Sequence, residues 1–191
     1  ANTLNGKAVV LEDLERYEEA VDAYYEAIGY FEETIGPTFD TNLGMVYGNI
    51  VSPLIELGRL DEALSFSQKS VEIASALNQG HPWHIRLTSD LASVYERIGQ
   101  NDKAKLAHDT AAKLFTERYF SISPSDLTSL RIGEYHSNIH AIANASDYYI
   151  RDYLETKNQN SLRSAFINFQ KSNFSSAEFE MAPSVCQMVG S

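Results

Sequence analysis

Apolar side chains recur every three or four residues along most of this chain, and polar residues fill the positions between them. Between residues 87 and 98 they fall on one helical face, which carries Leu87, Leu91, Val94, Tyr95 and Ile98. A second run keeps the same kind of spacing over residues 64–77, with Leu64, Phe66, Val71, Ile73 and Leu77. The pattern predicts an all-α protein whose amphipathic helices bury these faces in a core.

Three segments of the sequence resemble one another, which indicates an internal repeat. They are Leu14–Ala20, Leu57–Ala63 and Ile98–Ala104, and their final alanines are 43 and 41 residues apart. Gly58 and Gly99 stand inside them, where glycine is favoured because it accepts the left-handed backbone that ends a helix. Each repeat is therefore predicted to consist of two helices, A and B, joined by a tight turn.

The turn glycine, the acidic pair before alanine and the small residues of helix A resemble the tetratricopeptide repeat, in the variety of about 42 residues found in kinesin light chains. The stretches Tyr47–Val51 and Thr88–Ala92 are similar to that variety's helix A motif. Glu15 departs from the pattern because it stands where the turn glycine is expected, and Val51 replaces a small residue. The resemblance implies a right-handed superhelical array of antiparallel helix hairpins, an α-solenoid.

The repeats divide the chain into a helical repeat domain, residues 1–156, and a C-terminal segment, residues 157–191. Within the domain we expect repeats at about residues 1–36, 40–79, 83–122 and 124–156. The fourth repeat is degenerate, and its turn is predicted at Asn144–Asp147.

The C-terminal segment contains spaced aromatic and leucine residues that predict a further helix over residues 161–173. The end of a repeat array exposes an apolar edge, so we expect this helix to act as a cap. Residues 181–191 are predicted to be frayed, and the abrupt start of helix A at Ala1 suggests a fragment of a larger protein.

Charge and composition exclude several kinds of partner. The net charge of −11 argues against nucleic acid, because phosphate binding requires an excess of lysine and arginine. Residues 1–40 carry ten of the acids and only two bases, which indicates a solvated acidic face or a docking surface for a basic partner. No apolar run predicts membrane insertion, and the single cysteine, Cys186, favours a reducing compartment, which predicts a cytoplasmic protein.

Two histidine pairs are candidate metal ligands. His81 and His84 lie close together, and His136 and His140 are four residues apart on one predicted helix face. Catalytic zinc sites use three protein ligands, and the second pair has no glutamate between its histidines. We therefore predict no metal, no cofactor and no catalytic residues, and thus no enzyme.

The resemblance implies that a partner protein or peptide lies along the concave face, which the A helices line. Asn49 and Asp90 occupy a position that is often asparagine in the family, where an amide can pair with a peptide backbone. Pro53 falls inside helix A of the second repeat and predicts a kink there. The predicted partner-binding residues are Met45, Gly48, Asn49, Ser52 and Ile55 in the second repeat, and Arg86, Ser89, Asp90, Ser93 and Arg97 in the third.

These observations predict a non-catalytic scaffold for a partner protein or peptide, as part of a larger signalling or regulatory protein. The alternative is a sensor for a small molecule or signal peptide that controls an attached output domain, because helical repeats can change curvature when they are occupied. Both readings leave open whether chains associate with one another through the ends of the array.

Overall fold

The computed structural model describes residues 1–35, 40–77, 82–119 and 129–158, together with residues 160, 161, 163, 164, 167 and 168. The described residues contain helices and turns, with no strand among them. The helices are α1 (Asn2–Asp13), α2 (Tyr17–Ile35), α3 (Thr41–Asn49), α4 (Val51–Glu56), α5 (Leu60–Leu77), α6 (Pro82–Arg97), α7 (Asn101–Tyr119) and α8 (Ser129–Thr156).

The helices form antiparallel hairpins, as the sequence predicts. A first compact unit comprises Ala1–Gln79 and Asp90–Ala104, and a second comprises Gly80–Ser89 and Lys105–Ser191. In the first unit α1 packs on α2, α3 and α4 pack on α5, and α2 also lies against α3 and α4. The all-α array of helix hairpins is therefore confirmed.

Three hairpin turns use the same backbone device. Glu15, Gly58 and Gly99 all have positive φ angles, of 57°, 71° and 76°. In each turn this residue donates its N–H to the carbonyl three residues earlier, and the next residue donates to the carbonyl five residues earlier. This pair of hydrogen bonds is the Schellman motif, which satisfies carbonyls that a helix end leaves without partners. The prediction for Gly58 and Gly99 is correct, and Glu15 adopts the same conformation without being glycine.

Helix A of the second repeat is divided in two by its proline, as predicted. Pro53 lies in α4, and α3 ends at Asn49, so the break falls at Ile50. Proline has no N–H and its ring crowds the carbonyl four residues earlier, which interrupts the helical ladder at that point. At the other end, the Asp40 side chain caps α3 by accepting hydrogen bonds from the N–H groups of Asn42 and Leu43.

Small residues mark the places where paired helices meet. Ala20, Ala63 and Ala104 lie in the first turn of the B helices of the three repeats, and all are completely buried, as is Ala92 on α6. A larger side chain at these positions would push the helix axes apart. On the predicted α6 face Leu87, Leu91 and Val94 are buried, whereas Tyr95 and Ile98 are half-buried.

The predicted turn at Asn144–Asp147 is wrong. Helix α8 runs through these residues without interruption. Apolar residues at helical spacing, including Ile142, Ala145 and Tyr149, are buried on both sides of the predicted turn. No glycine or proline stands there to end the helix, so packing of this face decides in favour of continued helix over the turn preference of the polar residues.

Helix α8 instead ends at Thr156, twelve residues after Asn144, and the turn that follows lacks glycine. Lys157 has a φ angle of 56°, so it adopts the left-handed conformation of the other three turns. The Asn158 side chain then accepts a hydrogen bond from the Asn160 N–H, and the Asn158 carbonyl accepts from the Ser161 N–H. The described residues that follow, at 160, 161, 163, 164, 167 and 168, are helical. Most of the predicted helix over residues 161–173 and the tail lie outside the described residues.

Candidate functional site

A stripe of accessible side chains runs along α3 and α4, between buried positions. Met45 is 39% exposed, Asn49 and Ile55 are half-buried, and Ser52 is exposed. Successive members are separated by four, three and three residues, which places them on one helical face. The neighbouring residues Leu43, Val46, Ile50 and Leu54 are buried in the hairpin.

Helix α6 carries a corresponding stripe, in which Asp90 and Ser93 lie 41 residues after Asn49 and Ser52, and Arg97 lies 42 residues after Ile55. Asp90 and Ser93 are half-buried and Arg97 is exposed, and these residues belong to the same compact unit as α3 and α4. Arg86, which is half-buried, belongs to the second compact unit. Asn49 and Asp90 thus occupy equivalent, accessible positions of two A helices within one unit.

Two of the predicted site residues are buried and present no side-chain surface. Gly48 is buried in α3, where the lack of a side chain suits the packed face of the helix. Ser89 is also buried, and its hydroxyl accepts a hydrogen bond of 3.5 Å from the Asn144 amide in the second compact unit. The structure therefore gives Gly48 and Ser89 a packing environment, in contrast to the accessible members of the two stripes.

Asn49 is oriented by a residue that the sequence reasoning missed. Its Nδ2 donates a 3.3 Å hydrogen bond to Oδ1 of Asn5 on α1. Asn5 is half-buried, and α1 packs against α3 within the first compact unit. The internal repeat indicates this proximity. When the first repeat is shifted by 43 residues, Ala8 aligns with Val51, and Asn5 aligns with Gly48, next to Asn49.

A tyrosine on the opposite side of α3 ties this helix to the preceding one. The buried Tyr47 hydroxyl donates a 2.8 Å hydrogen bond to Oε1 of Glu32 on α2. Burial and the carboxylate together raise the pKa of Tyr47 well above its usual value, so the phenol stays protonated and continues to donate. The hydrogen bond to α2 therefore holds α3 on the side opposite its accessible stripe.

Of the two histidine pairs, only the His84 side chain lies within the residues that the structure describes. His84 is buried, and burial lowers the pKa of its imidazole, which keeps the ring neutral. His81 and Cys186 lie outside the described residues, and the side chains of His136 and His140 are also outside them. Within the described part of the chain, no three histidine, cysteine, aspartate or glutamate side chains cluster as metal ligands would.

An open cleft of about 440 Å³ lies in the second compact unit, beside α7. On α7 its walls carry charges of both signs, from Asp109, Lys113 and Glu117. The facing wall carries the uncharged residues Ser164, Ile167 and Asn168. Lys113 and Glu117 face each other at 3.7 Å on the exposed helix surface. The charged groups pair along the helix and do not converge on one point, as a small-molecule site would require.

None of the helices in the described residues is both long and apolar enough to cross a membrane.

Comparisons with known structures agree with the hairpin array. The crystal structure of BtubC (BKLC) from P. vanneervenii matches with a TM-score of 0.67 at 12% identity, over 94% of this chain and 62% of that one. This chain therefore spans less than two thirds of BtubC.

Two crystal structures of nearly identical TPR-like repeats from Podosopora anserina, of a protein described as a kinesin light chain, also match. Both have a TM-score of 0.57 at 14% identity over 99% of this chain, and they are covered over 92% and 94% of their lengths. At such low identity these matches concern the fold alone. Among curated protein sequences none matches this chain.

Family models settle the classification. One tetratricopeptide repeat model matches residues 1–39 and a second matches residues 42–117, which together exceed half of the chain. These segments cover the three repeats in which the left-handed turns and the buried alanines recur. The chain therefore belongs to the tetratricopeptide repeat family, and its hairpins have the fold of the long repeats of kinesin light chains.

Proposed function

We propose that this chain is a non-catalytic interaction module that holds a partner protein or peptide against the stripes of α3–α4 and α6. Tetratricopeptide repeats generally mediate protein–protein interactions, and this is the function that the family supports. The main support is that the accessible residues of these two stripes all lie in the first compact unit. They are Met45, Asn49, Ser52, Ile55, Asp90, Ser93 and Arg97.

The chemistry of the stripes suits an extended peptide. Asn49 supplies an amide that can both donate to and accept from a peptide backbone, and its orientation is held by Asn5. Met45 and Ile55 add apolar surface at either end of the α3–α4 stripe. Arg97 adds a cation on α6 that favours an acidic side chain in the partner. Arg86 belongs to the second compact unit and stays a separate prediction from the sequence.

The test begins with a random peptide library selected on the folded 191-residue chain. The affinity of a selected peptide is then measured for Ser52→Arg and for Asn49→Ala. A long side chain at Ser52 covers the stripe, so we expect Ser52→Arg to weaken binding roughly tenfold or more, and Asn49→Ala to weaken it by roughly three- to tenfold.

Ser65 provides a matched control. It is another exposed serine, but it lies on α5, a B helix. Ser65→Arg makes the same chemical change away from the stripe and should leave the affinity unchanged. Equal loss of binding in both arginine variants, or in neither, would contradict a site on the A helices.

A further inference from the structure

Gly6 lies in the interior of α1, where neither the backbone nor the packing requires a glycine. Its backbone is not left-handed, since the glycines with positive φ among the described residues are Gly58 and Gly99. A Cβ at Gly6 would meet no atom within 4 Å, so no neighbouring group needs the space. Glycine disfavours the middle of a helix relative to alanine, so the fold itself does not explain the missing side chain.

The internal repeat places Gly6 on the surface that faces the proposed partner. A shift of 43 residues aligns Gly6 with Asn49, and a further 41 residues lead to Asp90. Asn49 and Asp90 are half-buried members of the accessible stripes, although another hairpin precedes each of them. A preceding hairpin therefore does not close this position. The stripe of α3–α4 continues onto α1, and at Gly6 it has no side chain.

Val9 borders the opening over Gly6 on one side. It is 38% exposed, and it lies three residues after Gly6, on the next turn of the same helix face. Its equivalent in the second repeat is Ser52, which is also exposed, so this position too stays accessible when another hairpin precedes it. The α1 part of the surface thus has a valine where the α3–α4 stripe has a serine, and it is more apolar there.

An amide borders the same opening on the side of α3. Nδ2 of Asn49 donates a 3.3 Å hydrogen bond to Oδ1 of Asn5, and α1 packs against α3 in the first compact unit. Gly6 directly follows Asn5 in the sequence. Because Asn5 accepts through Oδ1, its Nδ2 group is a donor that suits a peptide carbonyl. The opening therefore has an apolar side and a hydrogen-bonding side.

We propose that Asn5, Gly6 and Val9 form a subsite for one bulky apolar side chain of the partner peptide. The side chain fills the space over Gly6 and packs against Val9, where it removes apolar surface from water, and Asn5 holds the adjacent peptide backbone. Glycine allows a ligand to approach the helix backbone closely, which explains its presence in α1. This subsite rests on the proposed function and adds the chemical class of one residue of the partner.

The test uses peptides selected from a random library on the folded 191-residue chain. Gly6→Leu fills the opening with a side chain of the protein itself, and we expect it to weaken the binding of a selected peptide by roughly tenfold or more. Gly6→Ala adds only a Cβ, which meets no neighbour, and should weaken binding by roughly two- to threefold. Circular dichroism establishes that both variants fold, and alanine is the better helix former of the two residues at position 6.

Gly29 provides the matched control for the glycine variants. It lies inside α2, which is a B helix, and a Cβ there also meets no atom within 4 Å. Gly29→Leu should leave the affinity for the selected peptide unchanged.

Val9 and Val10 provide a second matched pair. Val9→Thr keeps the shape of the side chain but adds a hydroxyl to the apolar side of the opening, so it should weaken binding by roughly threefold. Val10 lies on the outer edge of the first hairpin, which in the second repeat is buried at the equivalent residue Pro53. Val10→Thr makes the same change outside the opening and should leave the affinity unchanged.

The selected sequences report the chemistry of the occupant directly. Selection on the wild-type chain should enrich a large apolar residue at one peptide position. Replacing that residue by serine should weaken binding to the wild type by roughly tenfold and binding to Gly6→Leu by much less, because both changes remove the same contact.

The outcomes separate this subsite from the proposed function. Loss of binding in Ser52→Arg with unchanged binding in Gly6→Leu would overturn the subsite and leave the proposed function standing. Equal losses in Gly6→Leu and Gly29→Leu, or enrichment of a charged residue in place of an apolar one, would also overturn the subsite. Failure to select any peptide would overturn both proposals.

Discussion

The first and second hairpins have the same repeat sequence pattern, yet they differ at equivalent positions. Helix A of the first is the single helix α1, whereas helix A of the second is divided into α3 and α4 by Pro53. The turn residue is Glu15 in the first and Gly58 in the second, with the same left-handed backbone. The outer edge is exposed at Val10 in the first and buried at Pro53 in the second.

These differences separate two kinds of information in a repeat protein. The turn geometry is local, because the Schellman hydrogen bonds form in both hairpins whatever residue stands at the left-handed position. Burial is not local, because it depends on whether a neighbouring helix lies across the edge. The comparison can therefore be tested by changing one kind of position at a time.

The largest expected effect comes from the covered core of the second hairpin. Leu54 on α4 is completely buried, and Leu54→Ala should lower the free energy of unfolding by about 3 kcal/mol, through lost burial and the cavity left behind. Urea unfolding monitored by circular dichroism measures the change. Leu14→Ala is the control, since this leucine is exposed and its loss should cost less than about 0.5 kcal/mol. Similar losses in both variants would show that the edge of α1 is covered in solution.

The turn of the second hairpin should show a smaller effect. Gly58→Ala places a Cβ in the left-handed region, which should destabilise the protein by roughly 1–2 kcal/mol. No atom lies within 4 Å of the new Cβ, so the cost is conformational and not steric crowding by neighbours. Gly29→Ala, the same change in the middle of α2, also meets no atom and should stabilise by about 0.5–1 kcal/mol.

The turn of the first hairpin supplies the converse change. Glu15→Gly removes the left-handed penalty of a non-glycine residue but adds backbone freedom to the unfolded chain, so the net gain should be about 0.5–1 kcal/mol. The midpoint of urea unfolding is again the measurement. A loss of stability on Glu15→Gly would indicate that the glutamate side chain contributes more than its backbone conformation costs.

The smallest expected effect concerns two arginine–glutamate pairs, Arg59–Glu62 and Arg16–Glu19. Changing them should alter how the free energy of unfolding depends on pH. Hydrogen bonds from Arg59, and then from Tyr25, lower the pKa of Glu62 from 4.5 to about 2. The folded state thus releases this proton more readily than the unfolded state, so the stabilisation is present above about pH 4.5 and is lost as the pH falls towards 2. Glu62 is 43% exposed, so the contribution is screened by solvent and modest.

Glu62→Gln should therefore lower the midpoint of urea unfolding at neutral pH more than at about pH 3. The midpoint of this variant should accordingly fall less steeply as the pH is lowered. Arg16 also lowers the pKa of Glu19, in the first hairpin, but no tyrosine from a preceding helix reaches that pair among the described residues. Glu19→Gln should accordingly change the acid dependence less. An equal or larger effect of Glu19→Gln would contradict the role of the covering helix in the difference.

Much of the fold could be predicted because helix periodicity and turn chemistry are local. The repeat spacing located the hairpin turns at Gly58 and Gly99, and Pro53 predicted the break between α3 and α4. The left-handed backbone of Lys157 was not predicted because lysine carries no turn signal. The turn at Asn144–Asp147 was wrong because polar residues are also compatible with a helix whose other face is buried.

For the candidate site, the sequence determined which residues belong to the A helices and which of them share a face, since this follows from 3.6 residues per turn. Only the tertiary structure decided that Ser89 is buried beside Asn144, that Asn5 orients Asn49, and that Val10 is exposed where Pro53 and Val94 are not. These outcomes depend on contacts between segments tens of residues apart, which a local pattern does not encode. In a repeat protein the sequence of each hairpin specifies its two faces, and its neighbours determine which of those faces remain free to bind.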